Sequence, residues 1–279
     1  MTGCAMSRHT ASSVRRIASA ANPTVKALRA LHQKKHRSAT GCFLAEGVPI
    51  LTEAVELGHV PQTLVMLPEL RDSPRGSRLV ETTLTGGGEV LEASQSVLAK
   101  IVRKDNPSDA VGAFPQVWWD LNALDARGAF CWIVLEAPRD PGNVGTVLRT
   151  ADAVGAQGAI LLDRACDPYS VEGVRASMGA IFAQRLVHTS FDAFAEWRSR
   201  QGGRLVGTSL NAPWEYQAVT YPRPTFLFMG NEHSGLPSAY EQACDTLVRL
   251  PMCGRAESLN LAVAASVMLY EIYNQDRHA

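Results

Sequence analysis

Apolar positions recur along this chain in two alternating rhythms. Near the start they fall three apart: Val25, Leu28 and Leu31 share one face of a helix that Pro23 opens and Asn22 caps. The Lys and Arg residues of that segment take the other face and run into the basic cluster Lys34–Arg37. Short runs then predict a strand at Cys42–Glu46, a helix at Val48–Leu57 and a strand at Thr63–Leu67. Arg71–Arg78 and the glycines 86–88 predict loops, Val90–Leu91 a strand, Ser94–Val102 a helix and Ala110–Val117 a last strand. This first half reads as a small α/β unit.

After a connection expected at Asp120–Gly128, a second alternation begins. Strands are expected at Phe130–Glu136, Ala159–Asp163, Arg204–Thr208, Thr225–Met229 and Thr246–Leu250, with helices at Val144–Val154, Phe191–Arg200, Ser238–Ala243 and Leu259–Tyr273 and a turn-rich helical stretch from about Val171 to Phe182. Strands that alternate with helices predict a mostly parallel sheet covered on both faces. The last helix is apolar and small nearly all round (Ala262, Val263, Ala264, Ala265, Val267), which requires burial in the core or in a subunit interface.

Composition narrows the class. Of 279 residues 46% are hydrophobic, enough for a sizeable core. Cysteines 4, 42, 131, 166, 244 and 253 are scattered without a C-x-x-C pair, which speaks against a zinc site or a disulfide framework and for a reducing cytosol. No continuous apolar segment fits a membrane span or a signal peptide, so a soluble, cytoplasmic protein without a metal is expected. The net charge of zero conceals an asymmetry: residues 1–40 hold Arg8, Arg15, Arg16, Lys26, Arg29, Lys34, Lys35 and Arg37 and no acid. Phosphates attract such a stretch, so Arg29, Lys34, Lys35 and Arg37 are candidate nucleic-acid contacts.

Three motifs stand where open α/β sheets bind ligands, beyond the carboxyl ends of strands. The first is D-P-G-N-V-G-T-V-L-R-T-A-D, Asp140–Asp152; on its helix Val144, Val147, Leu148, Ala151 and Val154 form the apolar stripe, and Arg149 points away from it. Its glycines do not fit G-x-G-x-x-G, and no G-x-x-x-x-G-K-S/T occurs, which disfavours dehydrogenases and P-loop nucleotidases. The second, F-M-G-N-E-H-S-G-L, Phe228–Leu236, offers Gly230 and Gly235 for close backbone approach and Glu232 as a carboxylate. The third runs from Leu250-Pro251-Met252 to Glu257-Ser258-Leu259-Asn260, with Ser258 and Asn260 expected at the N-terminus of the last helix.

In this order the motifs resemble the SpoU/TrmH family of RNA 2′-O-methyltransferases over roughly residues 129–279. The F-L-A-E-G entry at Phe43–Gly47 is similar to the ribosomal-protein-like RNA-binding domain that many members carry. The resemblance implies a trefoil-knotted α/β domain, a homodimer and S-adenosylmethionine as methyl donor. It implies Asn143 and Arg149 as the functional pair of the first motif. Glu232, Ser258 and Asn260 match further polar catalytic positions. It places Gly230, Leu250 and Leu259 at the donor, with Thr208, Leu210 and Met252 lining the same pocket. His233 stands where members often carry glycine or glutamine.

The implied organisation is a basic arm at 1–21, an RNA-binding domain at 22–118, a connection at 119–128 and the methyltransferase domain at 129–279. The expected reaction displaces the sulfonium methyl by a ribose 2′-oxygen, with positioning as the main source of rate. A guanidinium keeps its proton in proteins, so Arg149 is expected to clamp phosphate or ribose rather than act as a base, while Ser258 could relay the proton. Ribosomal RNA is the expected substrate; transfer RNA, a modified base, or a silent RNA-binding assembly factor are the alternatives.

Overall fold

The computed structural model describes residues 14–278, and the chain divides into two compact units. One comprises the chain up to Gln116 together with Tyr169–Ala183; the other comprises Val117–Pro168 and the chain from Gln184 on. Most of the expected basic arm, residues 1–13, lies outside the described residues.

The first unit carries β1 (Arg15–Ile17), β2 (Cys42–Glu46), β3 (Thr63–Met66), β4 (Glu89–Ala93) and β5 (Ala110–Pro115) in the order β1-β4-β3-β5-β2. β1, β4 and β3 run parallel, and β5 is antiparallel to β3 and β2. The helix Pro23–Ala30 begins where expected: Asn22 accepts from the backbone N–H of Thr24 at 2.8 Å, and the helix behind it buries Val25 and Leu28. Residues 15–17, expected within an arm, form an edge strand instead. The expected loop 71–78 contains the start of the helix Pro74–Thr85, capped by Ser73 through the N–H of Gly76 at 3.0 Å. A Cβ on Gly76 would lie 1.9 Å from the Leu70 carbonyl oxygen, so glycine is there for close approach rather than for flexibility.

Tyr169–Ala183 belongs to this unit although it lies within the stretch expected to form the methyltransferase domain. Its rings complete an aromatic core: Tyr169 lies 4.7 Å from Phe43 and Phe182 4.8 Å from Phe114, centroid to centroid. The expected turn-rich helical stretch is two helices, Val171–Ser177 and Ala180–Ala183, separated where Met178 and Gly179 adopt positive φ.

The second unit holds β6 (Cys131–Glu136), β7 (Gly158–Leu162), β8 (Arg185–Thr189), β9 (Arg204–Thr208), β10 (Trp214–Glu215), β11 (Thr225–Met229) and β12 (Thr246–Arg249). Their order is β10-β12-β9-β11-β6-β7-β8, parallel throughout. β6, β7 and β11 are buried along their whole length, as a sheet covered on both faces requires. β8 and β10 go beyond the expected strands; both lie at the edges of the sheet. The expected connection 119–128 is part of the core: Leu121, Leu124 and Ala126 are buried, and Trp197 donates its indole N–H to the Leu124 carbonyl at 3.2 Å. Among the described residues no helix is long and apolar enough to cross a membrane.

Candidate active site

The first motif forms the helix Pro141–Ala153, with Asp140 accepting from the N–H of Gly142 at 2.7 Å. Val144, Val147, Leu148 and Ala151 are buried in the unit's interior. Arg149 projects from the opposite side into solvent and makes no hydrogen bond or ion pair with any described residue. Thr150 shares a hydroxyl hydrogen bond of 2.9 Å with Ser266, which ties this helix to the last one.

The second motif leaves the buried β11 and turns back on itself. A Cβ on Gly230 would lie 2.1 Å from the carbonyl carbon of Gly235, so only glycine permits that return. Asn231 holds the turn: its side-chain carbonyl accepts from the N–H groups of His233 and Ser234 at 3.0 Å, and its amide donates to the buried Glu136 at 2.6 Å. Glu232 accepts from the Asn143 amide at 3.0 Å and from the N–H groups of Arg139 at 3.1 Å and Asp140 at 3.3 Å. Partial burial alone would raise its pKa, but these hydrogen bonds outweigh it and hold the carboxyl below the usual carboxylate range.

The third motif corrects one expectation. The last helix is Leu261–Asp276, and its cap is Asn260, which accepts from Ala262 at 2.8 Å and Val263 at 3.3 Å. Ser258 lies two residues earlier in an exposed loop and caps nothing. The Asn260 amide donates to Asn143 at 3.0 Å. Glu232, Asn143 and Asn260 therefore join all three motifs through one chain of hydrogen bonds.

Beyond the carboxyl ends of β9, β11 and β12 opens a cleft of about 400 Å³. It is lined by Thr208, Leu210, Gly230, Leu250, Met252 and Leu259, with Glu232 and Ser258 at its polar side, so eight of the expected site residues meet in one place. Asn143 and Asn260 reach it through Glu232. Arg149 does not line it. Sequence reasoning missed Glu136 and Asn231, whose pairing shapes the turn. Asn231 stands within the motif as read, but its partner lies 95 residues away and gives no local signal.

Burial pushes the thiol pKa values of Cys131, Cys166 and Cys244 up to about 12, with nearby carboxylates adding to the effect at Cys166 and Cys244. Among the described residues no group of three or more His, Cys, Asp or Glu side chains could hold a metal ion.

The RNA-contact candidates divide. Lys34 and Lys35 are exposed on the helix Lys34–Thr40, and Arg29 is half-buried. Arg37 is 3% exposed and donates to the carbonyls of Leu31 at 2.8 Å and His32 at 3.0 Å, so it ties the helix ends together instead of facing a ligand.

A parallel α/β unit with a cleft at its carboxyl edge, bounded by these three loops, has the architecture in which open α/β folds bind ligands. The chain belongs to the SpoU rRNA methylase family, whose model matches residues 131–270, and residues 22–112 match the MRM3-like substrate binding domain. It is 32% identical over 252 residues to a 23S rRNA uridine 2′-O-methyltransferase of Streptomyces viridochromogenes, covering 88% of this chain and 87% of that one. A 23S rRNA guanosine 2′-O-methyltransferase of Bacillus subtilis is 28% identical, with 93% and 99% covered. Among solved structures, an AdoMet-bound rRNA methyltransferase of Sinorhizobium meliloti superposes with a TM-score of 0.87 at 40% identity, covering 95% of this chain and 98% of that one.

Proposed function

We propose that this protein transfers the methyl group of S-adenosylmethionine to a ribose 2′-hydroxyl of ribosomal RNA, in the cytoplasm. The observation that carries the reading is the cleft in which eight separately expected residues converge. Its residues fit the donor: Leu210, Met252 and Leu259 are apolar yet 60%, 38% and 40% exposed, a surface that an adenine ring and a thioether chain would cover. Thr208, Gly230 and Leu250 would complete that pocket. The donor supplies an activated sulfonium methyl. Glu232 and Asn143 hold the mouth of the cleft open and fixed, so that the ribose meets a rigid frame.

Arg149 takes the role of an RNA clamp, binding phosphate or ribose through its planar pair of donors. It stands about 9 Å along the helix and roughly 120° around it from Asn143, so one copy of the chain does not gather both at one point. A homodimer resolves this. The outer face of the last helix supports it: Val263, Val267 and Tyr270, spaced on one side, are 51%, 36% and 52% exposed. The first unit would hold the RNA, with Lys34 and Lys35 on its phosphates, and Ser258 would pass the proton to water.

Incubation with donor carrying an isotopically labelled methyl and unmodified ribosomal RNA should yield labelled 2′-O-methylnucleosides after nuclease digestion. Label on a base, or label only on transfer RNA, would overturn the reading. A monomer by light scattering at micromolar concentration would remove the dimer.

A further inference from the structure

The second unit opens with three large apolar residues that it does not bury. Val117, Trp118 and Trp119 are 41%, 41% and 43% exposed, whereas Trp132 and Trp197 of the same unit are sealed in its core. The segment is anchored: Trp119 donates its backbone N–H to the Leu186 carbonyl at 2.8 Å, and Leu186 lies in β8, at the edge of the sheet. Along β8 the side chains of Leu186 and Val187 are buried, while Arg185 and His188 face solvent beside the indoles.

Each indole has its own companion. The Arg185 guanidinium carbon sits 5.2 Å from the Trp119 ring centroid, and the His188 ring lies 6.0 Å from that of Trp118. His188 is fixed by a hydrogen bond of 2.8 Å to the Asp163 carbonyl. Arg185 has no carboxylate partner among the described residues, and the neighbouring Asp120 is occupied in capping the N–H of Asn122 at 3.0 Å. Two exposed aromatic planes beside an uncompensated guanidinium form a surface of defined chemistry. Flat π-faces take up unpaired bases whatever their sequence, and the cation takes up the phosphate between them. A protein partner would have to supply a carboxylate and an apolar knob together; an RNA strand supplies a phosphate and a ring at every nucleotide.

We propose that Trp118 and Trp119, with Arg185 and His188, form a platform on which this unit stacks unpaired bases of its RNA substrate. The proposal rests on the reading of the protein as an RNA methyltransferase, and it places RNA contacts on the unit that also carries the cleft.

The test uses the full chain and a fluorescein-labelled single-stranded RNA of roughly 12 nucleotides. Trp119→Ala should weaken binding about tenfold, within the range that removal of one stacking ring produces, and Trp119→Phe should restore most of it. Arg185→Ala should lower the slope of log affinity against log salt by about 0.7, one phosphate on a single strand. Donor affinity by calorimetry should stay unchanged in all three, which shows that the cleft is intact. In a Trp214→Phe background, the same RNA should shield the exposed indoles of the otherwise unaltered protein from iodide quenching. Unaltered RNA affinity in Trp119→Ala, or no shielding, overturns the proposal. So does a change in mass by light scattering at constant RNA affinity, which would give the platform to a protein interface. If the unaltered protein neither binds this RNA nor methylates ribosomal RNA, it is the functional reading that fails.

Discussion

Two carboxylates of the first unit and two of the second are satisfied in different ways. In the first unit Glu46 is met by Lys104 at 2.8 Å and Arg175 at 3.4 Å, and Glu92 by Arg16 and Arg71, each at 3.2 Å. Each of these two negative charges is closed by two positive ones. In the second unit Glu136 and Glu232 are satisfied by amides and backbone N–H groups, and neither has a cationic partner among the described residues. Both arrangements fulfil the hydrogen-bonding needs of a carboxylate. Only the second leaves these two carboxylates without a cationic partner among the described residues, at the sheet edge that also carries the cleft. Elsewhere the second unit also closes carboxylates with ion pairs, Asp276 with Arg223 and Glu215 with Arg249, so the contrast belongs to Glu136 and Glu232 beside the cleft.

That contrast can be broken most forcefully at Phe43, which is 1% exposed among the rings of the first unit. Phe43→Ala should destabilise the protein by about 3–5 kcal/mol in denaturant unfolding, with donor affinity of the folded protein unchanged. A parallel fall in donor affinity would show that the first unit's core and the cleft are not separable. Next in size is Arg149→Ala. It should lower turnover by about 10²–10³, the cost of removing one positioned charge donor, while donor affinity measured by calorimetry changes less than about tenfold, ~1.4 kcal/mol. Arg149→Lys should rescue little, since an ammonium lacks the two-pronged geometry. Near-normal turnover in Arg149→Ala would return that side chain to an ordinary surface role.

Smaller effects sharpen the comparison. Replacing Lys34 and Lys35 with glutamine should lower the salt slope of RNA binding by roughly 0.7–0.9 for each phosphate no longer neutralised, without touching the donor. Glu232, whose carboxyl is held below its ordinary value of 4.5, predicts an acid limb. Its contribution is fully present above that value and fades as pH falls through the depressed one. Donor binding titrated downward from about pH 6 should therefore hold until below about pH 4.5 and then weaken, and Glu232→Gln should flatten that limb while lowering the plateau.

Much of this was legible in the sequence. The interior strands of the second unit fall within a residue or two of their expected places, because continuous apolar runs between glycine and proline leave little choice. The clustering of the candidate residues was legible for a related reason: their glycines, amides and acid lie in three short stretches, and a parallel sheet delivers such stretches to one edge. What escaped had no local signature. In the helix Pro74–Thr85 the Ser73-Pro74 start signal was present, but Gly76 beside it reads as a loop until Leu70 is seen to press against it. Tyr169–Ala183 carries a helical pattern that names no unit, and only the rings of Phe43 and Phe114 show where it belongs. Arg37 looked like its basic neighbours, and its burial depends on two carbonyls freed by the end of the preceding helix.

The chain of amides that joins the three motifs has a direction. The last helix presents N–H groups to Asn260, Asn260 presents its NH₂ to Asn143, and Asn143 presents its own to Glu232. Followed from either end, the orientation of each amide is set by its neighbour: a helix N-terminus can only donate, and an ionised carboxylate can only accept. Neither asparagine can rotate without setting donor against donor or acceptor against acceptor. This chain beside the cleft thus has a single self-consistent polarity, written by a helix dipole at one end and a charge at the other. A lone amide would be free to flip between two states of similar energy; two in series between such ends behave as one rigid part.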